Sequence, residues 1–510
     1  MTAAAEAGAG AVPPRAGLRR FAPLLAAAAG ASLALAFAPF GLWPFAIIAP
    51  AVLIALWDGA APRHAAALGF WFNAGTFAAG TYWLYISIHV FGAAPLWIAL
   101  LLMLGLVALM GLYHAALGYA VARWLPARGA WRWLAGIPAA WLLVEWWRGW
   151  FLSGFAWLSL GYSQTDTPLA RLAPVGGVYA ISAALLVSAG ALVMLLRARG
   201  ARARLIALAA LAAPWLLALA LDRDWTHESG PPVEVAVLQG AVPQDLKWLD
   251  ANRDTTLELY ARLTREALGT PLIVMPESAL PDLANNLVPF IGGLYREAGE
   301  RGSALVLGLV RAGEGRDEYF NSVLSLDASG VGWYDKHHLV PFAEFFPVPP
   351  FVRRWLRLMS LPYSDFTRGA AVQAPLAAAG LSLAAGICYE DAYGSTVARS
   401  LAGADTLVNV TNDAWFGHST ARHQHFQIAR LRAIESGRFL IRAANDGISA
   451  VVGPRGEVVA RAPEYVASVL RASVTPRTGL PPYARVGNWA IVLAALGALA
   501  AALAAARRPA

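Results

Sequence analysis

Three side chains in this sequence have the types that thiol catalysis requires. Cys388, the only cysteine, ends an apolar stretch, Lys336 lies upstream between Asp335 and two histidines, and Glu277 follows apolar residues and Pro276. A thiol can form a covalent intermediate, a carboxylate can take its proton, and an ammonium can stabilise the oxyanion that develops. These residues therefore predict a nucleophile, a general base and an oxyanion stabiliser.

Each of the three also has an ordinary explanation. Lys336 is one of two lysines among 40 basic residues, so it is either a surface lysine left by chance or a site that needs a compact, titratable charge. Glu277 alone could be a helix cap or a surface carboxylate. Cys388 alone could be a buried filler, whereas in the functional interpretation a turn into a helix would offer N–H groups, which favour a lowered thiol pKa and an oxyanion site.

The composition places much of the chain in a membrane. Of the 510 residues, 58% are hydrophobic and only 14% are charged, which is too apolar for an ordinary soluble protein. The net charge of +8 could indicate nucleic-acid binding, but the arginines cluster between apolar runs, as in the cytoplasmic loops of membrane proteins. We therefore expect no nucleic acid partner.

Eight apolar segments have lengths that suit membrane helices. If they alternate, thirteen arginines fall on one side and only Arg148 and Arg171 on the short loops of the other, which predicts cytoplasmic termini and an outward-facing 222–488. Arginines before the first segment could also mark a signal peptide, but the alternation favours a retained anchor. The segments are Phe21–Phe37, Trp43–Trp57, Ala65–Ile88, Leu96–Val121, Trp133–Trp147, Val175–Leu196, Leu205–Leu221 and Trp489–Ala506.

The outward-facing part has the pattern of an alternating α/β domain. Apolar strand-like runs alternate with an amphipathic helix at Asp250–Leu268 and a helix around Ala421–Ser436, and functional residues of such sheets gather beyond the carboxyl ends of strands. The runs are Val233–Leu238, Pro271–Met275, Ala304–Leu309, Ser322–Leu326, Leu381–Cys388, Thr406–Thr411, Phe439–Ala443 and Ser449–Val452. Glu277, Cys388 and the pair Asn412-Asp413 fall at such ends. The predicted domains are 1–221, with seven membrane helices; 222–232, a linker; 233–473, the catalytic domain; 474–488, a second linker; and 489–510, the eighth helix and tail.

An outward domain of a bacterial-type envelope lies in an oxidising compartment, where paired cysteines form disulfides. Cys388 has no partner within the chain. An unpaired thiol is a liability there unless it does chemistry, so this placement favours a nucleophile over a buried filler.

The motifs around the three residues resemble the Glu-Lys-Cys triad of the nitrilase (carbon-nitrogen hydrolase) superfamily, in the same order. With its flanking membrane helices the whole chain resembles the apolipoprotein N-acyltransferase family of the bacterial inner membrane. The resemblance is carried by Met275–Pro281, Tyr334–Phe345, Ile387–Glu390, Gln239–Trp248, Asn409–Phe416 and His425–Arg438.

The resemblance implies an αββα sandwich for 233–473 and a transfer of an acyl chain from a membrane phospholipid to an apolipoprotein. The acceptor would be the α-amine of a diacylglyceryl-modified N-terminal cysteine. The acyl chain would pass to it through a thioester intermediate on the enzyme. We expect a periplasmic catalytic domain and a monomeric protein, and the resemblance assigns the following roles by motif. Glu277 is the base, Lys336 the oxyanion stabiliser and Cys388 the nucleophile; Glu344, Tyr389 and Glu390 are supporting residues; and Trp248, Trp415 and Phe416 bind substrate.

Two positions depart from the family pattern. Met275 stands where tryptophan is frequent, and Ala343 stands where glycine is frequent. Neither removes a reacting group, so the departures bear on acyl-chain preference more than on activity.

Three further features of the sequence could also have a function: a histidine pair, a Glu–Arg pair and an apolar segment. His423 and His425 are two residues apart and point to different faces of a helix, so we expect packing or hydrogen bonding, with neither metal nor cofactor. Glu145 and Arg148 are expected to form an interfacial anchor with neighbouring tryptophans. The apolar segment Phe345–Leu361 is either a loop gating lipid entry or a loop packed on its own domain.

Two other functions are consistent with parts of the sequence. A membrane-tethered nitrilase-like hydrolase would use the same triad and pass the acyl group to water, although one helix would suffice as its tether. A transporter with a sensory outer domain is disfavoured because no pair of helices has an interrupted, polar midplane.

Overall fold

The computed structural model describes residues 16–315, 318–345 and 365–507, with side chains from residue 20 onward. The segment proposed as a lipid gate, Phe345–Leu361, lies outside the described residues except for Phe345. Within them, an apolar helical region precedes an α/β region, and a last apolar helix follows it.

The N-terminal region consists of helices that coincide with the predicted apolar segments. Two π-helical turns accompany these helices. Ile86–Phe91 lies between the third and fourth helices, and Arg132–Gly136 directly precedes the fifth. The helices are α1 Ala16–Leu33, α2 Phe45–Leu56, α3 Pro62–Gly80, α4 Leu96–Trp124, α5 Ile137–Arg148, α6 Ala173–Arg197 and α7 Ala201–Ala220, with Trp489–Ala506 as the last helix of the chain.

Four described helices could cross a membrane by their length and apolar composition: Leu96–Trp124, Pro168–Arg197, Ala201–Ala220 and Trp489–Ala506. Only 11% of the most apolar stretch of Ala201–Ala220 is buried inside the protein, against 72% for Pro168–Arg197. The helix Ala201–Ala220 therefore offers an apolar face to its surroundings, whereas Pro168–Arg197 lies in the centre of the helical region. The chain is thus a membrane protein, and the count of eight spans stays a prediction.

Glu145 and Arg148 do not form the expected interfacial anchor. Both side chains are only 3% exposed. The Glu145 carboxylate accepts from the Leu160 N–H, and the Arg148 guanidinium donates to the carbonyls of Phe155 and Trp157. The pair holds the segment after α5 inside the helical region, because buried charged groups require such partners.

The α/β region contains two six-stranded sheets. One has the order β13-β2-β3-β4-β5-β6 and the other the order β12-β11-β10-β9-β8-β7. Parallel pairs, β2 with β3, β3 with β4, β8 with β9 and β9 with β10, form the centre of each sheet. The strands are β1 His227–Glu228, β2 Val233–Gln239, β3 Leu272–Val274, β4 Ala304–Ala312, β5 Tyr319–Asp327, β6 Gly330–Asp335, β7 Leu376–Ala378, β8 Leu381–Ile387, β9 Thr406–Thr411, β10 Leu440–Ala444, β11 Ala450–Val452, β12 Val458–Arg461, β13 Ser468–Val474 and β14 Arg477–Thr478.

The two sheets pack face to face with helices on both outer sides. The inner layer joins side chains such as Val237 and Val274 to Val408 and Ile441 of the other sheet. Helices α8 Asp250–Ala267 and α9 Val288–Gly299 cover the first sheet, and Ala421–Ser436 covers the second. This arrangement confirms the expected α/β sandwich. Further helices are Gly394–Ser400 and Pro482–Val486.

The helix Ala421–Ser436 also packs against the N-terminal apolar helices. Its residues Ile428, Leu431 and Ile434 belong to the same buried cluster as side chains of α1 to α7. In addition, the Glu435 carboxylate accepts a hydrogen bond of 2.9 Å from the Val178 N–H. The helical region and the sandwich therefore share a continuous core, with this helix between them.

Candidate active site

Cys388 is the first residue of a 3₁₀ turn, Cys388–Ala392, that directly follows β8. Its φ of 51° lies in the left-handed region, a conformation that a non-glycine residue rarely adopts. The Asn409 amide and a ring nitrogen of His425 contact its carbonyl oxygen, at 3.4 and 3.1 Å. These contacts fix the turn, so the backbone strain is held by the second sheet and the helix that covers it.

Glu277 follows β3 and is 7% exposed. A Cβ on Gly308 of the adjacent strand would lie 2.6 Å from the Glu277 Cα, so only glycine permits this approach of the two backbones. The Asn321 amide donates to the Glu277 carboxylate at 2.7 Å. The carboxylate is thereby held at the carboxyl end of the first sheet.

Lys336 follows β6, and its side chain is 1% exposed. Its Nζ lies 2.9 Å from the Glu344 carboxylate and 3.6 Å from that of Glu277. Burial by itself would lower the pKa of Lys336, but Glu344 and Glu277 outweigh burial and raise the pKa well above its ordinary value. Lys336 is therefore a permanent positive charge at neutral pH.

The electrostatics at the thiol differ from the sequence expectation. Burial, assisted by the Glu277 charge and opposed by Lys336, raises the pKa of Cys388 well above its ordinary value. The expectation that the turn lowers this pKa is wrong, because loss of solvent outweighs the nearby cation. A thiol that is protonated at rest requires a base when it attacks, and the Glu277 carboxylate beside Lys336 can supply one.

Glu390 joins the turn of Cys388 to the segment of Lys336. Its carboxylate accepts hydrogen bonds from the backbone N–H groups of His337, His338 and Ile387, at 2.9, 3.0 and 2.9 Å. The Tyr334 hydroxyl donates to it at 2.9 Å. Glu390 thus sets the position of both reacting segments, although it offers no free oxygen for chemistry.

Tyr389 and the three predicted substrate residues differ in their surroundings. The Tyr389 hydroxyl donates to the Gly154 carbonyl of the helical region at 3.1 Å. Phe416 packs edge-on against Trp83, with ring centroids 4.8 Å apart, and so also faces the helices. Trp248 and Trp415 are 48% and 38% exposed. Their exposure leaves both rings accessible, and their substrate role stays a prediction.

Sequence reasoning missed Asn321, which has no recognisable signal because it lies within a strand. Its amide donates to Glu277 at 2.7 Å and to Glu344 at 2.9 Å. It therefore holds the two carboxylates on either side of Lys336. Lys247 was also missed, although the scarcity of lysine could have drawn attention to it.

Cys388, Asp413 and His425 have potential ligand atoms within 4.8 Å of one another. However, the Arg442 guanidinium donates to Asp413 at 3.1 Å and lies 3.0 Å from the His425 ring. A fixed positive charge on the same carboxylate disfavours a metal cation. His425 instead makes hydrogen bonds, as expected, while His423 is half-buried on another face of the helix.

Comparison with known proteins agrees with this geometry. The carbon-nitrogen hydrolase family matches residues 234–479, and the apolipoprotein N-acyltransferase N-terminal domain matches residues 29–191. The apolipoprotein N-acyltransferase of Vibrio parahaemolyticus is 39% identical over 92% of this chain and 94% of its own. That of Azotobacter vinelandii is 42% identical over 91% of this chain and 92% of its own.

The chain belongs to the apolipoprotein N-acyltransferase family.

Membership in this family makes the chain an enzyme with apolipoprotein N-acyltransferase function and a catalytic domain of the nitrilase superfamily. Among solved structures, a carbon-nitrogen hydrolase from Helicobacter pylori matches with a TM-score of 0.37 and 20% identity, over 48% of this chain and 89% of its own.

Proposed function

We propose that Cys388 takes an acyl chain from a membrane phospholipid as a thioester and passes it to the N-terminal amine of a diacylglyceryl-modified apolipoprotein. The observation that carries the proposal is the convergence of three strand ends. Glu277 after β3, Lys336 after β6 and Cys388 after β8 come from distant parts of the sequence, yet Lys336 lies 3.6 Å from Glu277. The Glu390 carboxylate joins the other two strand ends, because it accepts from the backbone N–H groups of His337 and Ile387.

In the first half of the reaction, Glu277 takes the thiol proton as Cys388 Sγ attacks the ester carbonyl carbon. The carbonyl oxygen becomes an oxyanion, which the Lys336 ammonium stabilises. When the intermediate collapses, the bond from the acyl carbon to the glycerol oxygen breaks. That oxygen takes the proton from Glu277, and lysophospholipid leaves.

In the second half, the free amine of the apolipoprotein attacks the thioester carbonyl and gives up a proton to Glu277. Lys336 again stabilises the oxyanion. The carbon–sulfur bond breaks, the thiolate recovers the proton from Glu277, and an amide is formed. Glu344 keeps Lys336 in place at 2.9 Å, while Trp248, Trp415 and Phe416 contact the lipid portions of the substrates.

The membrane arrangement follows from the same proposal. Both substrates are anchored in a bilayer, so the sandwich lies on the outer face of the inner membrane with both termini in the cytoplasm. The continuous core between the helix Ala421–Ser436 and the membrane helices supports this placement. We propose eight spans, with linkers at 222–232 and 474–488 and a monomeric enzyme.

The test is the intact mass of purified full-length protein after exposure to dipalmitoyl phosphatidylethanolamine in detergent micelles. We expect a gain of one palmitoyl group on the wild type and none on Cys388→Ala, followed by transfer of that group to an added diacylglyceryl lipopeptide with a free amine. An adduct lost to water without transfer would support a hydrolase. No adduct on the wild type would disprove the thioester route.

A further inference from the structure

The second of the two lysines in the chain also lies against Glu277. Lys247 belongs to the turn between β2 and α8 and is fully buried, with 0% of its surface exposed. Its Nζ donates to the Glu277 backbone carbonyl at 3.2 Å. In a chain with 40 basic residues, both lysines therefore meet the same glutamate, one at its carboxylate and the other at its main chain.

The ammonium of Lys247 has few partners for a buried charge. An ammonium has three N–H donors, and among the described residues the Glu277 carbonyl is its one hydrogen-bond acceptor. Burial lowers the pKa of Lys247 to about 8, while the Glu277 charge acts in the opposite direction. The Glu277 charge favours the charged form of Lys247, and because charge interactions are mutual, the Lys247 ammonium favours a negative charge on Glu277.

The turn that carries Lys247 is fastened to the second sheet. The Ala241 N–H donates to the Asn445 carbonyl at 2.7 Å, and the Asn445 amide donates to the Val242 carbonyl at 2.9 Å. The Asn412 amide also donates to the Gln244 side chain at 2.8 Å. Because residues 241–244 just before Lys247 are held in this way, the fold positions the lysine against Glu277.

We propose that Lys247 is a second cationic positioning residue of the site, which holds the Glu277 backbone and favours the ionised carboxylate that takes the thiol proton. This inference rests on the proposed function of Glu277. The positive charge of Lys336 is shared by Glu277 and Glu344. Its Nζ lies 2.9 Å from the Glu344 carboxylate and 3.6 Å from that of Glu277. Among the described residues the Lys247 ammonium contacts only Glu277. It therefore adds positive charge at this glutamate, whereas the charge of Lys336 also serves Glu344.

The pH dependence of acylation is the readout that separates charge from structure. The groups facing Glu277 are Lys247, Lys336, Asn321 and Cys388, with Glu344 beyond Lys336. Of these, only the lysines are positively charged. Removing Lys247 takes one of these two positive charges away from the site of Glu277, so we expect the acid limb of the acylation profile to move to higher pH.

The experiment measures single-turnover formation of the Cys388 palmitoyl adduct across pH in the full-length protein, with dipalmitoyl phosphatidylethanolamine in micelles. For Lys247→Met we expect the acid limb to move up by about one pH unit, which makes acylation about tenfold slower on that limb. Lys247→Arg keeps the charge, so its limb stays at the wild-type pH even if its larger side chain slows the reaction throughout.

Further variants keep the result interpretable. Lys247→Gln is neutral but can still donate to the Glu277 carbonyl, so it should show the same shift as Lys247→Met and serves if that variant does not fold. Arg265→Met removes a positive charge from an exposed pair and should leave the profile unchanged. A uniformly slower reaction with an unmoved limb in both neutral variants would overturn the inference.

Failure of the proposed function gives a different result. If the wild type forms no adduct at any pH, the thioester route itself is wrong. If the wild type forms the adduct and the neutral variants keep its profile and rate, only the role of Lys247 is wrong.

Discussion

Lys336 and its neighbours show how a buried cation is kept charged beside a protonated thiol. Two carboxylates, Glu344 and Glu277, lie 2.9 and 3.6 Å from its Nζ, and the Asn321 amide fixes both of them. Burial disfavours the charged form of both Lys336 and Cys388. At Lys336 the two carboxylates outweigh burial, whereas at Cys388 burial prevails and raises the pKa of the thiol. The site therefore rests with a neutral thiol and a charged ammonium.

Alkylation of the single cysteine tests this charge state. Because a raised pKa favours the protonated thiol, we expect the iodoacetamide reaction of the wild type to accelerate from neutral to alkaline pH without a plateau below about pH 10. Lys336→Met removes the cation that opposes the rise, so alkylation at pH 8 should be about tenfold slower. Intact mass reports Cys388 alone, since the chain has one cysteine.

Arg265→Met provides the matched loss of one positive charge, at an exposed surface pair. Its alkylation profile should coincide with that of the wild type. Equal or faster alkylation of Lys336→Met would show that Lys336 does not stabilise the thiolate.

At the scale of single elements, the helix Ala421–Ser436 serves two functions in the fold. One face covers the second sheet, and its His425 ring contacts the Cys388 carbonyl. The other face packs on the membrane helices, where Arg432 pairs with Glu435 at 3.0 Å and Glu435 accepts from Val178. Docking of this helix is therefore coupled to the geometry of the nucleophile.

Glu435→Gln should destabilise the protein strongly. The substitution leaves the buried Arg432 guanidinium, 1% exposed, without its carboxylate. Removing one partner of a buried ion pair costs about 3 kcal/mol or more. We expect a clear drop in the melting temperature of the detergent-solubilised protein. Tryptophan fluorescence during heating measures this temperature.

Glu297→Gln, which breaks an exposed pair with Arg265, is the control and should melt nearly as the wild type does, because surface pairs contribute little. Similar melting temperatures for the two variants would contradict a docking role for Glu435.

At the scale of the whole molecule, the sandwich is not a separate body tethered by a linker. Ile428, Leu431 and Ile434 share a buried cluster with the membrane helices. The hydroxyls of Tyr389 and Tyr393 donate to the carbonyls of Gly154 and Ser153. The helical region thus completes both the core of the sandwich and the surroundings of the catalytic turn.

The segment 222–488 produced without the membrane helices should therefore aggregate in water. Its apolar patch at Ile428, Leu431 and Ile434 would be exposed, and exposed patches of this kind drive association. Size-exclusion chromatography without detergent measures the outcome. A version with glutamine at these three positions should be less aggregated, while a monomeric wild-type segment would show that the helices are not needed to cover the sandwich.

Much of the fold was predictable because its signals are local. Apolar runs marked the helices, and the strands β2, β3, β4, β5, β8, β9, β10 and β11 each coincide with a predicted run. The strands β6, β7, β12 and β13 and the helix α9 were not predicted. Strands β12 and β13 are only partly buried, so no continuous apolar pattern marks them.

The sequence by itself determined which residue types are available, namely one cysteine, two lysines and glutamates at strand ends, and it determined that long apolar helices accompany an α/β domain. The tertiary structure alone decided the sign of the shift at Cys388, the burial of Glu145 and Arg148, and the meeting of Lys247 and Asn321 with Glu277. The physical reason is that propensity and hydrophobic period act within a few residues along the chain, whereas burial and charge interactions depend on groups that come together only when distant strands pack.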